Sequence, residues 1–168
     1  GKLNEAIESY KLSAEDGNVK SQYTLGKIYS NRKQYHEAER WYSMAFKNGY
    51  EKAAFDLGNM YYDLEGYEYA LYWYEKVAME GNVKAENNLG VIHYKLKDYA
   101  RSEKWLKIAA DNNLSSACFN LGLLYLNFSI SLSFLLKNST NSSLFIPLVI
   151  SCHFILIPTL YKRIILLF

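Results

Sequence analysis

The residues that most often hold metal ions or attack substrates are few in this sequence and widely separated. The histidines are His36, His93 and His153, and the cysteines are Cys118 and Cys152. No cysteine or carboxylate accompanies the histidines at ligand spacing, and two unspaced thiols make no disulfide framework. The sequence also lacks a Gly-rich phosphate loop, a nucleophile elbow and a His-Glu metal motif. We therefore predict a protein that is not an enzyme and that binds no cofactor or metal.

Three lysines at a fixed interval have a clearer chemical use. Lys20, Lys52 and Lys84 lie 32 residues apart, and a row of ammonium groups can pair with the carboxylates of a partner. The alternative, which we weigh equally, is that lysine simply suits the exposed first turn of a helix. Which of the two holds depends on the elements that carry these lysines.

Several other residue patterns keep the same 32-residue interval. The pair Leu-Gly occurs at Leu25-Gly26, Leu57-Gly58, Leu89-Gly90 and Leu121-Gly122. Three further series share this register: Gly17, Gly49, Gly81 and Asn113; Tyr35, Tyr67 and Tyr99; and Trp41-Tyr42, Trp73-Tyr74 and Trp105-Leu106. Independent residue types in one register indicate an array of like units.

Each unit contains two amphipathic helices joined by a short connection, near residues 64–67 in the second unit. Apolar and small residues recur at helical intervals on both helices. The two stripes of the second unit are Ala53, Leu57, Met60 and Tyr61, and Ala70, Trp73, Tyr74 and Val77. The sequence therefore predicts helical hairpins whose apolar stripes form the core.

Glycines have two roles in this pattern. Gly49 and Gly81 follow the second helix of a unit, where a left-handed residue closes the helix, and Asn113 can take the same conformation. A glycine inside a helix costs about 1 kcal/mol relative to alanine and needs a packing reason. We interpret the glycines of the Leu-Gly pairs as points where the two helices of a unit cross closely: Gly26, Gly58, Gly90 and Gly122.

The order Ala45, Asn48-Gly49, Ala53 and Leu57-Gly58 resembles the Sel1-like branch of the tetratricopeptide repeats, as does Trp-Tyr on the second helix. The usual tetratricopeptide period is about 34 residues. The turn at residues 63–67 is as short as a tetratricopeptide turn, so the resemblance is to a short, 32-residue Sel1-like variant. It covers residues 1–127 and implies an all-α fold, a right-handed α-solenoid of antiparallel helix hairpins.

The pattern divides the chain into consecutive segments. We predict the second helix of a truncated repeat over 1–16, three repeats over 17–48, 49–80 and 81–112, the first helix of an interrupted repeat over 113–127, and an apolar non-repeat tail over 128–168. The alignment of residues 3–10 with residues 35–42 predicts further repeats upstream. We interpret the tail as the product of a shifted reading frame. The alternatives are a membrane anchor over 144–161 and a soluble docking segment.

Charge limits the class of partner. Residues 1–127 carry sixteen Lys and Arg against seventeen Asp and Glu, whereas the tail adds three basic residues. A nearly neutral array lacks the field that attracts phosphate backbones, so we predict no nucleic-acid partner. Membrane contact is expected only through residues 144–161. We favour a cytoplasmic location, with export or membrane association as alternatives.

The first helices of a solenoid line its concave wall, which suits a segment of another protein. On the side opposite the core stripe, the sequence predicts these partner-binding residues: Lys20, Tyr23, Lys27, Lys52, Phe55, Asn59, Tyr62, Lys84, Asn87 and Tyr94. We therefore predict a non-catalytic scaffold for a protein or peptide partner. The alternative is an adaptor that uses the same array and is tethered to a membrane by the apolar tail.

Overall fold

The computed structural model describes the backbone of residues 1–138 and the side chains of residues 1–131. This part of the chain contains eight α-helices and no strand. Their bounds are α1 Lys2–Glu15, α2 Val19–Asn31, α3 Tyr35–Lys47, α4 Glu51–Asp63, α5 Tyr67–Ala78, α6 Val83–Lys95, α7 Tyr99–Asp111 and α8 Ser115–Asn138. The predicted all-α fold is confirmed.

The helices form successive hairpins within the compact body Gly1–Leu121. Helix α2 packs on α3, α4 on α5 and α6 on α7, and each hairpin also packs on the next through α3 with α4 and α5 with α6. The first helices begin at Val19, Glu51 and Val83, which are 32 residues apart. The predicted solenoid of antiparallel hairpins is therefore confirmed for this body.

The leucine of each Leu-Gly pair lies in the core of its hairpin. Leu25, Leu57 and Leu89 are fully buried, and burial of each side chain stabilises the fold by about 2 kcal/mol. The half-buried side chains of Phe46 and Trp73 pack against the buried residues on both sides of the α4–α5 hairpin. Neighbouring hairpins thus share one continuous core.

The glycines of the first three Leu-Gly pairs are points of close helix crossing. A Cβ atom placed on Gly26 would lie 2.5 Å from Cδ1 of Tyr42, and one placed on Gly58 would lie 2.6 Å from Cδ1 of Tyr74. On Gly90 it would lie 2.6 Å from Cγ of Leu106. Each glycine therefore makes room for the residue at the same place on the second helix, as predicted.

The turns between hairpins have the predicted left-handed residue. The φ angles are 90° at Gly17, 88° at Gly49, 86° at Gly81 and 63° at Asn113. The turns inside the hairpins contain a second left-handed series that the sequence did not predict: Lys33 at 58°, Glu65 at 57° and Lys97 at 62°. These three residues have a Cβ, so residue type alone gave no sign of the conformation.

Helix α8 differs from the other first helices. It continues without a turn to Asn138, past the predicted end at residue 127. No described atom lies within 4 Å of a Cβ placed on Gly122, so the crossing predicted there is not seen among the described residues. The physical reason is local: the helix runs on through Ser129, the position at which the other hairpins turn back.

Residues 1–138 contain no helix with both the length and the apolarity needed to cross a bilayer. The anchor predicted over residues 144–161 lies outside the described residues.

Candidate functional site

The ten residues predicted to bind a partner all lie on the first helices α2, α4 and α6, and we call this surface the first-helix face. Its exposed members are Lys20, Lys27, Lys52 and Lys84, and its half-buried members are Phe55, Asn59, Tyr62 and Tyr94. Tyr23 and Asn87, in contrast, are only 9% and 8% exposed. The sequence predicted that both would point away from the core. They are buried because each forms a hydrogen bond to the next first helix.

Tyr23 joins α2 to α4. Its hydroxyl donates to Oδ2 of Asp56 at 2.7 Å, and its ring centroid lies 4.8 Å from that of Tyr50. The ammonium groups of Lys27 and Lys52 lie 5.9 and 5.5 Å from the centroid of the Tyr23 ring. Burial raises the pKa of Tyr23, and the hydrogen bond to the Asp56 carboxylate adds to this effect. Tyr23 is thus a neutral hydrogen-bond donor that fixes two helices.

Asn87 has the same role between α6 and α8. Its Oδ1 accepts a hydrogen bond from Nδ2 of Asn120 at 2.9 Å, and the two residues are 33 positions apart, as are Tyr23 and Asp56. At the same place on α4, Phe55 packs instead on the ring of Tyr74, with the ring centroids 5.6 Å apart. The first-helix face is therefore held by specific contacts between successive first helices.

Further polar contacts lie beside these. Asn87 Nδ2 donates to Asn88 Oδ1 at 3.3 Å, and the Asn88 side chain lies beside the Tyr74 hydroxyl. That hydroxyl donates to Asn59 Oδ1 at 2.7 Å, and Asn59 Nδ2 lies 3.5 Å from Oδ1 of Asp56. The donors point in one direction, toward the carboxylate of Asp56. Hydrogen bonds in such a chain polarise and strengthen one another.

Sequence reasoning missed Asp56, Asn88 and Asn120 and assigned Tyr74 only to the core. The sequence contains a signal for Asp56 and Asn120, because polar residues 33 positions apart meet across successive first helices. The 32-residue interval alone does not reveal such pairs.

A pocket of about 400 Å³ lies between α4 and α6. Its lining residues are Asn59, Tyr62, Asp63, Tyr74, Asn88 and Val91. Tyr74 forms the floor and is 1% exposed, whereas Asp63 is exposed at the rim. Burial raises the pKa of Tyr74, and the negative charges of Asp63 and Asp56 act in the same direction. The charged groups that act on the floor of the pocket are thus carboxylates.

The described histidines, His36 and His93, and the described cysteine, Cys118, do not line this pocket. Among the described residues no three His, Cys, Asp or Glu side chains are placed to share a metal ion. His93 is only 4% exposed, with Nδ1 lying 3.9 Å from Oδ2 of Asp98, and burial lowers its pKa. His36 and Cys118 are exposed. The first-helix face offers lysine ammonium groups, aromatic rings and side-chain amides.

Comparison with solved structures gives a similar protein, the Sel1 repeat protein from Oxalobacter formigenes, known from its crystal structure. The two chains are 28% identical with a TM-score of 0.52, and the match covers 70% of this chain and 97% of that chain. No protein-family profile and no curated protein matches the sequence. The described hairpins, which begin every 32 residues, thus form a helical repeat array that is similar to a Sel1 repeat protein and consistent with the predicted resemblance to Sel1-like repeats.

Proposed function

We propose that this chain is a non-catalytic scaffold that binds an extended segment of a partner protein along the first-helix face. The observation that supports the proposal most is the lysine row, Lys20, Lys52 and Lys84, in which all three side chains are exposed. Exposed cations in a row suit the carboxylates of a peptide. The half-buried aromatic rings beside them, Phe55, Tyr62 and Tyr94, suit its apolar side chains.

Rigidity of the face supports the same proposal. Contacts such as Tyr23 with Asp56 and Asn120 with Asn87 fix successive first helices relative to one another before any partner arrives. A preorganised surface loses little conformational freedom on binding, so more of the contact energy appears as affinity. An array of stacked hairpins also offers an extended surface rather than a deep enclosed site.

The proposal is tested with peptides selected from a random display library on the full chain, their affinities measured by fluorescence anisotropy. The variant Lys20→Glu/Lys52→Glu/Lys84→Glu reverses the charge of the lysine row. We expect it to weaken binding by about tenfold or more at low salt, and by less at high salt, because ion pairs at an exposed surface are screened.

The matched control reverses three exposed lysines outside the first-helix face, in Lys33→Glu/Lys47→Glu/Lys97→Glu. It has the same net charge as the row variant, so a difference between the two depends on position. Both variants should keep the helical circular dichroism of the parent. Equal affinity of the parent and the row variant would show that the row is ordinary solvated surface and would refute the proposal.

A further inference from the structure

We propose that the pocket between α4 and α6 binds the guanidinium group of an arginine side chain from the partner segment. This inference rests on the proposed function and names the chemistry of one anchoring residue. The partner would then carry acidic residues opposite the lysine row and an arginine between them.

Hydrogen bonds at the floor of the pocket favour a ligand that donates hydrogen bonds. The single proton of the Tyr74 hydroxyl is donated to Oδ1 of Asn59. Oδ1 of Asn88 accepts from Nδ2 of Asn87, and Asn88 also lines the pocket. Because the hydroxyl proton of Tyr74 is already donated to Asn59, the hydroxyl oxygen can only accept a hydrogen bond from a ligand. A ligand rich in donors fits this floor better than a ligand rich in acceptors.

The charge at the rim of the pocket favours a cationic ligand. Asp63 is exposed at the rim of the pocket, and the ion pairs formed among residues 1–131 do not include it. Asp56 lies at the end of the hydrogen-bond chain that passes through the floor. The carboxylate of Asp63 at the rim favours a cation and remains available for a direct charge-assisted hydrogen bond.

Aromatic rings in the pocket wall also favour a cationic ligand. Tyr62 and Tyr74 both line the pocket. The ammonium of Lys95 already lies 5.6 Å from the centroid of the Tyr62 ring and 5.9 Å from that of Tyr67, so the rings at this edge accept a cation. A guanidinium stacks on such a ring while its planar fork of donors reaches a carboxylate and amide oxygens, which an ammonium cannot do as well.

Lys95 provides a test of the sign of the ligand's charge. Its positive charge opposes a cationic ligand and would attract an anionic one. Replacing it with methionine should therefore tighten arginine binding, whereas replacing Asp63 with asparagine should weaken it. Opposite effects of two substitutions near one pocket are not expected from general loss of folding.

The experiment titrates the full chain with Nα-acetyl-L-arginine amide and follows the side-chain amide resonances of Asn59 and Asn88 by NMR. Nα-Acetyl-L-citrulline amide, which has nearly the same shape but no charge, is the comparison probe. We expect the arginine probe to bind at least about fivefold more tightly than the citrulline probe. Asp63→Asn should remove this difference and Lys95→Met should increase it. Glu65→Gln removes a nearby exposed charge that does not line the pocket, and should leave the difference unchanged.

Equal binding of the two probes, no saturable shift at Asn59 and Asn88, or a difference that survives Asp63→Asn would each overturn the pocket proposal. These outcomes are distinguishable from failure of the proposed function. If selected peptides depend on the lysine row while the arginine probe fails, the pocket proposal alone is wrong. If the arginine probe binds while selected peptides ignore the lysine row, the proposed function is wrong.

Discussion

Ser102 lies where two other hairpins have alanine. Ala38, Ala70 and Ser102 share one position on the second helices, and all three are 0% exposed. The Ser102 hydroxyl has no hydrogen-bond partner among the described residues. A buried hydroxyl without a partner is destabilising because it has lost its bonds to water. The alanines show that the site needs no polar group.

We therefore expect Ser102→Ala to raise the free energy of unfolding by about 1 kcal/mol beyond the gain in helix propensity. Urea denaturation followed by circular dichroism measures the change. Ser43→Ala is the control, because Ser43 is half-buried inside α3 and its replacement by alanine gives the gain in helix propensity alone. If the two variants gain the same stability, the Ser102 hydroxyl is satisfied in solution.

His93 makes the stability of the array depend on pH. Burial lowers the pKa of His93 below its ordinary 6.5; Arg101 adds to this effect, while Asp98 and Glu75 oppose it. The unfolded chain therefore binds a proton more readily than the folded chain below about pH 6.5. The contribution of neutral His93 is complete above that pH and is lost as the pH falls through the lowered pKa.

The change His93→Tyr tests this pH dependence, because Tyr29 and Tyr61 occupy the same position in the preceding hairpins. The parent should lose more stability than this variant between about pH 7.5 and pH 5, as measured by urea denaturation at each pH. His36→Gln, at an exposed histidine, should follow the parent. If the stabilities of the parent and of His93→Tyr depend on pH in the same way, His93 is not the cause of the pH dependence.

In the sequence, His93 stands where the preceding hairpins have tyrosine, and the structure shows which charged group lies beside it. The aspartate beside it, Asp98, is the residue before α7, where its side chain also accepts a hydrogen bond from the Arg101 backbone N–H at 3.1 Å. Side-chain neighbours of this kind depend on how a turn folds, so the repeat pattern does not specify them.

At the scale of the helix, the close crossing at Gly58 sets how α4 packs on α5. A methyl group there would lie 2.6 Å from the ring of Tyr74, which is buried and cannot swing into solvent. We expect Gly58→Ala to lower the free energy of unfolding by about 1–3 kcal/mol, because overpacking outweighs the better helix propensity of alanine.

Thermal denaturation of the full chain measures the effect of Gly58→Ala. Gly66→Ala is the control, since its Cβ would meet Tyr61 at 3.4 Å, an ordinary contact, and its φ of −76° suits alanine. A Gly58→Ala protein that melts at or above the parent temperature would show that α4 and α5 do not approach as closely as described.

The hairpins themselves were predictable because their signals are local. Helical spacing of apolar residues, glycine after the second helix and glycine at the crossing each appear in three or more places at one interval. The within-hairpin turns were less predictable. Lys33, Glu65 and Lys97 are left-handed because the turn geometry requires it there, although none is a residue type that prefers this conformation.

At the scale of the whole array, polar contacts that occur in only some of the hairpins were the hardest feature to predict. Gln22 accepts a hydrogen bond from Nδ2 of Asn48 at 2.9 Å, and Glu86 accepts from Nδ2 of Asn112 at 3.3 Å, with both pairs 26 residues apart. Ala54 replaces this acceptor in the middle hairpin, so the contact skips a repeat. A feature that is absent from one of three repeats gives little periodic signal.

The first-helix face shows the same limit. Helical geometry correctly placed exposed lysines and half-buried aromatic residues on α2, α4 and α6, but it treated each helix as isolated. Tyr23 and Asn87 are buried by contacts with the following first helix, which a single-helix projection does not include. We propose, as the sequence predicts, that the repeats begin at residues 17, 49, 81 and 113.

Site-specific photo-cross-linking shows whether a partner segment lies along the first-helix face. A benzoylphenylalanine replaces Tyr94 on α6 in one protein and the exposed Tyr72 on α5 in a second protein. Each is irradiated with a display-selected peptide at equal occupancy, and adducts are quantified by mass spectrometry. Binding along the first-helix face should give adducts from position 94 and none from position 72; adducts from position 72 alone would rule out this binding mode.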